Sequence, residues 1–229
     1  MWSVHKTKGF IIGATLLALV LISGNIGLAC GTEPAQAPTS LPPLSNESEI
    51  PANFTTYTDD LKLFSISYPS DWETALYYIP DLEKDTKEII NSLKTGLPIE
   101  RPGAIFIAGG KECISCLSVN IVVEPILEQI PKGVSALDQM FEAAIVGTKI
   151  ERLQDYREFS RVKTTIDGRE AAIVDCEGMV PGTGKRHYLM MITLVGKTAW
   201  LVTCCSTAED FATFENDFNT ILRSLRISD

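Results

Sequence analysis

A chain of 229 residues, 45% of them hydrophobic, is too apolar to be disordered and is long enough for one large folded domain or two small ones. It carries 20 basic and 29 acidic residues; Lys6 and Lys8 but no acid precede Cys30, so the remainder stands at 18 against 29, or −11. That balance disfavours nucleic acid as a partner, and two histidines, His5 and His187, leave little room for metal or triad chemistry.

Residues 1–29 read as a targeting segment. Lys6 and Lys8 give a positive start, residues 10–22 are apolar, and Gly27-Leu28-Ala29-Cys30 offers a cleavage site. The segment resembles a bacterial lipoprotein signal, which makes Cys30 the lipidated residue. Ala29 suits the position before the cysteine, whereas Gly27 and Leu28 depart from the usual Leu and small residue. Ordinary secretory cleavage after Ala29 and an uncleaved membrane helix over 9–29 are the alternatives. All three place the rest of the chain outside the cytoplasm, because Lys6 and Lys8 stay inside. Residues 30–52 form a tether: Pro34, Pro38, Pro42, Pro43 and Pro51 stand among Thr, Ser, Gln and Glu, with too little apolar surface to fold. The folded domain is then 53–229.

Short strands are expected at 54–57 and 63–68, where Phe64, Ile66 and Tyr68 alternate with serines, before Pro69-Ser70-Asp71-Trp72 turns the chain over a buried Trp72. Residues 81–94 read as a helix with Leu82, Ile89, Ile90 and Leu93 inward and Gly96 as its stop. Strands follow at 104–108 and 117–124, joined by a Gly-rich loop that holds Cys113 and Cys116. Ser135 caps a second helix with Leu137, Met140, Phe141, Ala144 and Ile145 on one face. The segments 159–166 and 169–176 make a hairpin across Asp167-Gly168, a type I′ signal. Residues 186–195 and 198–205 make another, across Gly196-Lys197, in which Gly first suits a type II′ turn. In that register Val195 faces Thr198, Thr193 faces Trp200 and Met191 faces Val202. Neither face of this hairpin is polar, so it belongs at the centre of a sheet covered on both sides. A last helix follows, with Ser206 and Glu209 as a capping box and Phe211, Phe214, Phe218, Ile221, Leu222 and Leu225 as its apolar stripe.

The order of elements implies an α+β fold: a mostly antiparallel sheet with helices on both faces. Phe64-Ser65-Ile66-Ser67-Tyr68-Pro69-Ser70-Asp71-Trp72 resembles the opening of PsbP-like domains, where an extended segment ends in Tyr-Pro-x-x-Trp. The stretch 186–227 resembles their closing hairpin, helix and Ser-Phe-x-Ile end, which here reads Ser224-Leu225-Arg226-Ile227. The resemblance covers roughly 54–227, with 81–102 as an insertion. It implies an α/β/α sandwich, no cofactor, and the non-enzymatic docking role common in that family, with an envelope protein as partner.

Three constellations bear on chemistry. Cys113-Ile114-Ser115-Cys116 is open to a structural disulfide, internal or to Cys176, to inert thiols, or to redox or metal-carrying use. It precedes a strand rather than a helix, so the helix dipole that usually activates such a pair is missing. Cys204 and Cys205 point to opposite faces and read as separate buried thiols. Pro181-Gly182-Thr183-Gly184-Lys185-Arg186 lacks the first glycine and the Ser or Thr of a phosphate loop; it reads as a flexible hairpin loop that exposes Lys185, Arg186 and His187. No catalytic residue and no metal ligand is assigned. The expected function is a membrane-tethered docking domain, with a thiol-redox or metal-carrying role at Cys113 and Cys116 as one alternative. The other alternative is small-ligand binding under the 81–94 insertion as a lid.

Overall fold

The computed structural model describes residues 50–75, 80–114, 116–126, 133–151 and 153–228. The targeting segment, Cys30 and the tether as far as residue 49 lie outside the described residues.

Ten strands and three helices are described, in the order β1 (Phe54–Thr58), β2 (Phe64–Pro69), β3 (Glu73–Thr74), α1 (Pro80–Thr95), β4 (Gly103–Gly109), β5 (Ser118–Pro125), α2 (Ala136–Glu151), β6 (Gln154–Ile166), β7 (Arg169–Val180), β8 (Gly184–Val195), β9 (Thr198–Thr207), α3 (Phe211–Ser224) and β10 (Arg226–Ile227). Seven of the strands form one antiparallel sheet in the order β3-β4-β5-β9-β8-β7-β6. The other three, β1-β2-β10, form a small antiparallel sheet with β2 in the middle.

The β8–β9 hairpin lies inside the large sheet, as its two apolar faces require. Gly196 takes φ 59°, the positive first position of a type II′ turn, and sets the pairs Val195–Thr198, Thr193–Trp200 and Met191–Val202. In the β6–β7 turn both Asp167 (φ 50°) and Gly168 (φ 73°) are left-handed, as type I′ demands.

Leu189, Met191, Trp200, Val202 and Cys204 face one layer, which consists of α1, α3 and the small sheet. Tyr188, Met190, Ile192, Leu201 and Cys205 face α2, through Met140, Phe141 and Ile145. Burying each large side chain contributes about 1.5–3 kcal/mol, so this double-sided packing dominates stability. Ser135 caps α2 as expected, its Oγ accepting the Asp138 N–H at 3.0 Å. Trp72 is buried under the β2–β3 turn with its ring edge-on to Phe218.

Helix α1 is a docked core element rather than a lid. Its Thr86 hydroxyl donates to the Ala104 carbonyl at 2.8 Å in a buried setting. Ile89 occupies the space above Gly103, where any Cβ would stand 2.1 Å from Ile89 Cδ1. Gly96 ends the helix with φ 67°.

Two expected boundaries move. β9 continues through Ser206 and Thr207, so the capping box on Ser206 and Glu209 does not form. Thr207 Oγ1 instead accepts the Asp210 N–H at 3.1 Å and donates to Asp210 Oδ2 at 2.6 Å. β6 begins five residues before the expected 159. Its polar opening, Gln154-Asp155-Tyr156-Arg157-Glu158, is edge strand with two register irregularities and a left-handed Asp155 (φ 54°).

Candidate functional site at one end of the sheet

The loop between β7 and β8 is shorter than expected. Val180 pairs with Gly184, which leaves residues 181–183 as the turn and puts Lys185, Arg186 and His187 in the strand. Strand alternation then sends Arg186 and His187 to opposite faces. Arg186 is 4% exposed and His187 5%, so the exposed basic spot does not exist. Lys185 alone reaches solvent, with its Nζ 2.6 Å from Glu177 Oε1.

On the α3 side, His187 Nε2 hydrogen-bonds Asp175 Oδ1. The imidazole is stacked between Phe159, at 5.2 Å between centroids, and Phe211, at 3.5 Å. The Arg157 guanidinium lies over the Phe159 ring, 4.7 Å from its centroid. Ser206 pairs with His187 across β8 and β9, so the end of the sheet carries serine, histidine and aspartate on one face. The serine is turned elsewhere: its hydroxyl donates to the Thr207 carbonyl at 3.0 Å. Sequence reading missed the His187–Asp175 pair. The one signal in the sequence is a pair of acids, Asp175 and Glu177, that follows the apolar run 171–174 of β7.

On the α2 side lies the Cys113 loop. Cys113 and Cys116 are joined by a disulfide, both half-buried, at the end of the β4–β5 hairpin. The Cys113 carbonyl accepts from the Cys116 N–H at 2.9 Å and the Leu117 N–H at 3.1 Å, which makes the loop one compact turn. Gly109 lets it fold back, since a Cβ there would stand 2.4 Å from the Leu117 carbonyl oxygen. Arg186 projects beneath the loop, with Nη1 3.4 Å from the Cys116 carbonyl oxygen and Nη2 3.8 Å from Cys116 Sγ.

Behind Arg186 a row crosses the sheet on the same face: Cys176 opposite Tyr188, and Tyr188 opposite Cys205. Burial pushes the Cys176 thiol up to about 12. Burial does the same to Cys205, up to about 12 against the opposing pull of Arg186 and Tyr188. Cys204, on the other face, is raised well above the ordinary range by burial. These three free thiols are protonated and unreactive at neutral pH. Among the described residues no three of His, Cys, Asp and Glu are placed to hold a metal ion. A cavity between α2 and the sheet, lined by Phe141, Ile145, Met190 and Leu201, has a volume of about 10 Å³, room for a water molecule at most.

The sequence matches no family model and no curated protein. Among solved structures it is similar to a cyanobacterial PsbP (CyanoP) from Synechocystis sp. PCC 6803, at 13% identity and a TM-score of 0.50, over 78% of this chain and 94% of that one. It is also similar to LpqN, involved in cell envelope biogenesis of Mycobacterium tuberculosis, at 10% identity and a TM-score of 0.47, over 77% of this chain and 91% of that one. The likeness to CyanoP shows the fold: a PsbP-like α+β domain, as the Tyr68-Pro69 opening and the Ser224–Ile227 end implied.

Proposed function

We propose that this PsbP-like domain acts by docking, without turnover of its own, on the outer side of a membrane to which its N-terminus tethers it. One observation carries the non-enzymatic reading. His187 and Asp175, the pair nearest to acid–base chemistry, are 5% and 3% exposed and closed between two phenyl rings, and the nearby Ser206 hydroxyl bonds to backbone. A general base has to come within hydrogen-bond reach of a substrate proton, and this one is walled off by the core.

The address rests on residues 1–29 and on Cys30 as the lipidated residue. A Pro-rich leash over 30–52 raises the concentration of the domain near other membrane proteins, so an envelope protein is the partner class this design serves. The acidic domain makes nucleic acid a poor alternative.

The test uses the full chain in its own membranes. Lipid labelling, protease accessibility and cross-linking are compared for wild type and Cys30→Ser. The wild type is expected to be lipid-labelled, outward-facing and cross-linked to a discrete partner at fixed stoichiometry, and Cys30→Ser to lose label. A wild type without lipid removes the lipoprotein reading, and N-terminal sequencing then separates secretion from a retained helix. Hydrolysis of a model ester that His187→Gln abolishes would replace docking with catalysis.

A further inference from the structure

Arg186 is a buried cation with no counter-charge among the described residues. Among the described residues no carboxylate lies within ion-pair distance of it, and its hydrogen-bond partners are the Cys116 carbonyl and Cys116 Sγ. A buried guanidinium left unpaired costs several kcal/mol, roughly, and a neutral disulfide offsets little of that. A thiolate at Cys116 would offset much more.

We propose that Cys113–Cys116 is an exchangeable, redox-active disulfide, and that Arg186 is the cation that receives the Cys116 thiolate when it opens.

The two parts sit on elements of different rigidity. Arg186 stands on β8, hydrogen-bonded on both sides by β7 and β9, so its position is fixed. The two cysteines stand on the loop between β4 and β5, at the end of that platform, and are partly rather than fully buried. Redox pairs ordinarily gain an activated sulfur from a helix N-terminus or a nearby cation. Here a strand follows the pair, and Arg186 does what the helix would. The remaining thiols do not compete, because Cys176, Cys204 and Cys205 are buried and held protonated.

The reductant is a dithiol on another protein. Its first thiolate attacks Cys113 Sγ; a bond forms between the partner sulfur and Cys113, the Cys113–Cys116 bond breaks, and the electron pair goes to Cys116 beside Arg186. The partner's second thiolate then attacks the partner sulfur of the mixed disulfide, and Cys113 leaves with the electron pair. Two electrons pass to this chain and the partner becomes a disulfide. Of the partner's two protons, one ends on Cys113 and the other goes to solvent while Cys116 stays anionic. The reverse sequence oxidises a dithiol client. An oxidising compartment outside the cytoplasm is where such a pair has clients.

The test equilibrates the folded full chain with glutathione buffers of graded ratio and counts thiols by alkylation, with Cys113→Ser/Cys116→Ser as background. The alkylation rate of Cys116 against pH is measured in Cys113→Ser. The wild type is expected to exchange without denaturant, and Cys116 to titrate clearly below the ordinary cysteine value of about 8.5. Arg186→Gln is expected to move the equilibrium about tenfold toward the disulfide, equivalent to about 30 mV, with Cys116 returning to the ordinary range. Arg186→Lys is expected to retain most of the effect. A disulfide that resists glutathione until the protein is unfolded overturns the proposal. So does a Cys116 that titrates like a free cysteine in the Cys113→Ser background, and that measurement decides even where Arg186→Gln fails to fold.

Discussion

The imidazole of His187 lies flat on the phenyl ring of Phe211, with 3.5 Å between centroids and 9° between planes. Phe211 is the first residue of α3, so the contact fixes the start of that helix to the beginning of β8. Asp175 joins from β7 through its hydrogen bond to His187 Nε2. His187→Phe keeps the stack but leaves the buried Asp175 carboxylate without its donor, and is expected to cost about 3–5 kcal/mol. His187→Phe/Asp175→Leu removes both partners and is expected to recover most of that loss. Urea denaturation of the single and double variants measures the difference. Losses that simply add would show that the pair is not coupled.

The two phenylalanines of α3 that sequence reading treats alike are predicted to differ. Phe218 is fully buried, whereas Phe214 is partly buried at the margin of the same core. Phe218→Ala is expected to cost about 3–5 kcal/mol through the cavity it leaves. Phe214→Ala should cost roughly 1–2 kcal/mol, as a half-covered side chain. Equal losses in chemical denaturation would mean that α3 is rotated from the position described.

Glu124, near the end of β5, is 3% exposed, and burial pushes its carboxyl up to about 7. The folded value lies above the unfolded one, so its contribution to stability is complete below the unfolded value of 4.5 and is lost as pH rises through about 7. The loss across that window is about 3 kcal/mol. Glu124→Gln should flatten stability against pH between those limits, as read from denaturation midpoints at a series of pH values. A wild-type curve that already rises through this window would contradict the assignment.

The turn that leads into α3 separates two neighbouring hydroxyls. Thr207→Ala removes the acceptor of the Asp210 N–H and should cost about 1 kcal/mol. Ser206→Ala leaves that bond intact. If Ser206→Ala costs about 1 kcal/mol and Thr207→Ala does not, the capping box stands where the sequence first puts it.

Much of the fold is legible wherever local patterns and burial agree. The register of β8 and β9 follows from one glycine and two apolar faces, and the type I′ turn from Asp167-Gly168. The opening of β6 is illegible for a physical reason: an edge strand has one side in water, and its Gln, Asp, Arg and Glu look like loop. The candidate site is harder still. Gly182 and Gly184 read as a long flexible loop, yet both take positive φ (82° in the three-residue turn and 88° at the first residue of β8), and that shortening carries Arg186 and His187 from solvent into the core. Pairing His187 with Asp175 or Arg186 with Cys116 needs the order of strands across the sheet, which no local pattern contains. The capping box on Ser206 fails because strand pairing holds Ser206 in the sheet, overriding a good local signal; the N-cap position falls to Asp210, which makes no side-chain cap bond.

The backbone N–H of Ser67 is bound by Ser224 Oγ at 2.8 Å from 157 positions away, and the N–H of Ile227 by Asp167 Oδ2 at 2.9 Å. β2 therefore emerges early in synthesis and waits for both its second neighbour, β10, and the helix that covers Phe64 and Ile66 until nearly the whole domain has been made. Contacts of this separation fold slowly, because a long loop must close before they form. A growing chain stays open, with β2 exposed, through most of its synthesis. Under the proposed address outside the cytoplasm, that delay keeps the polypeptide threadable until export is under way.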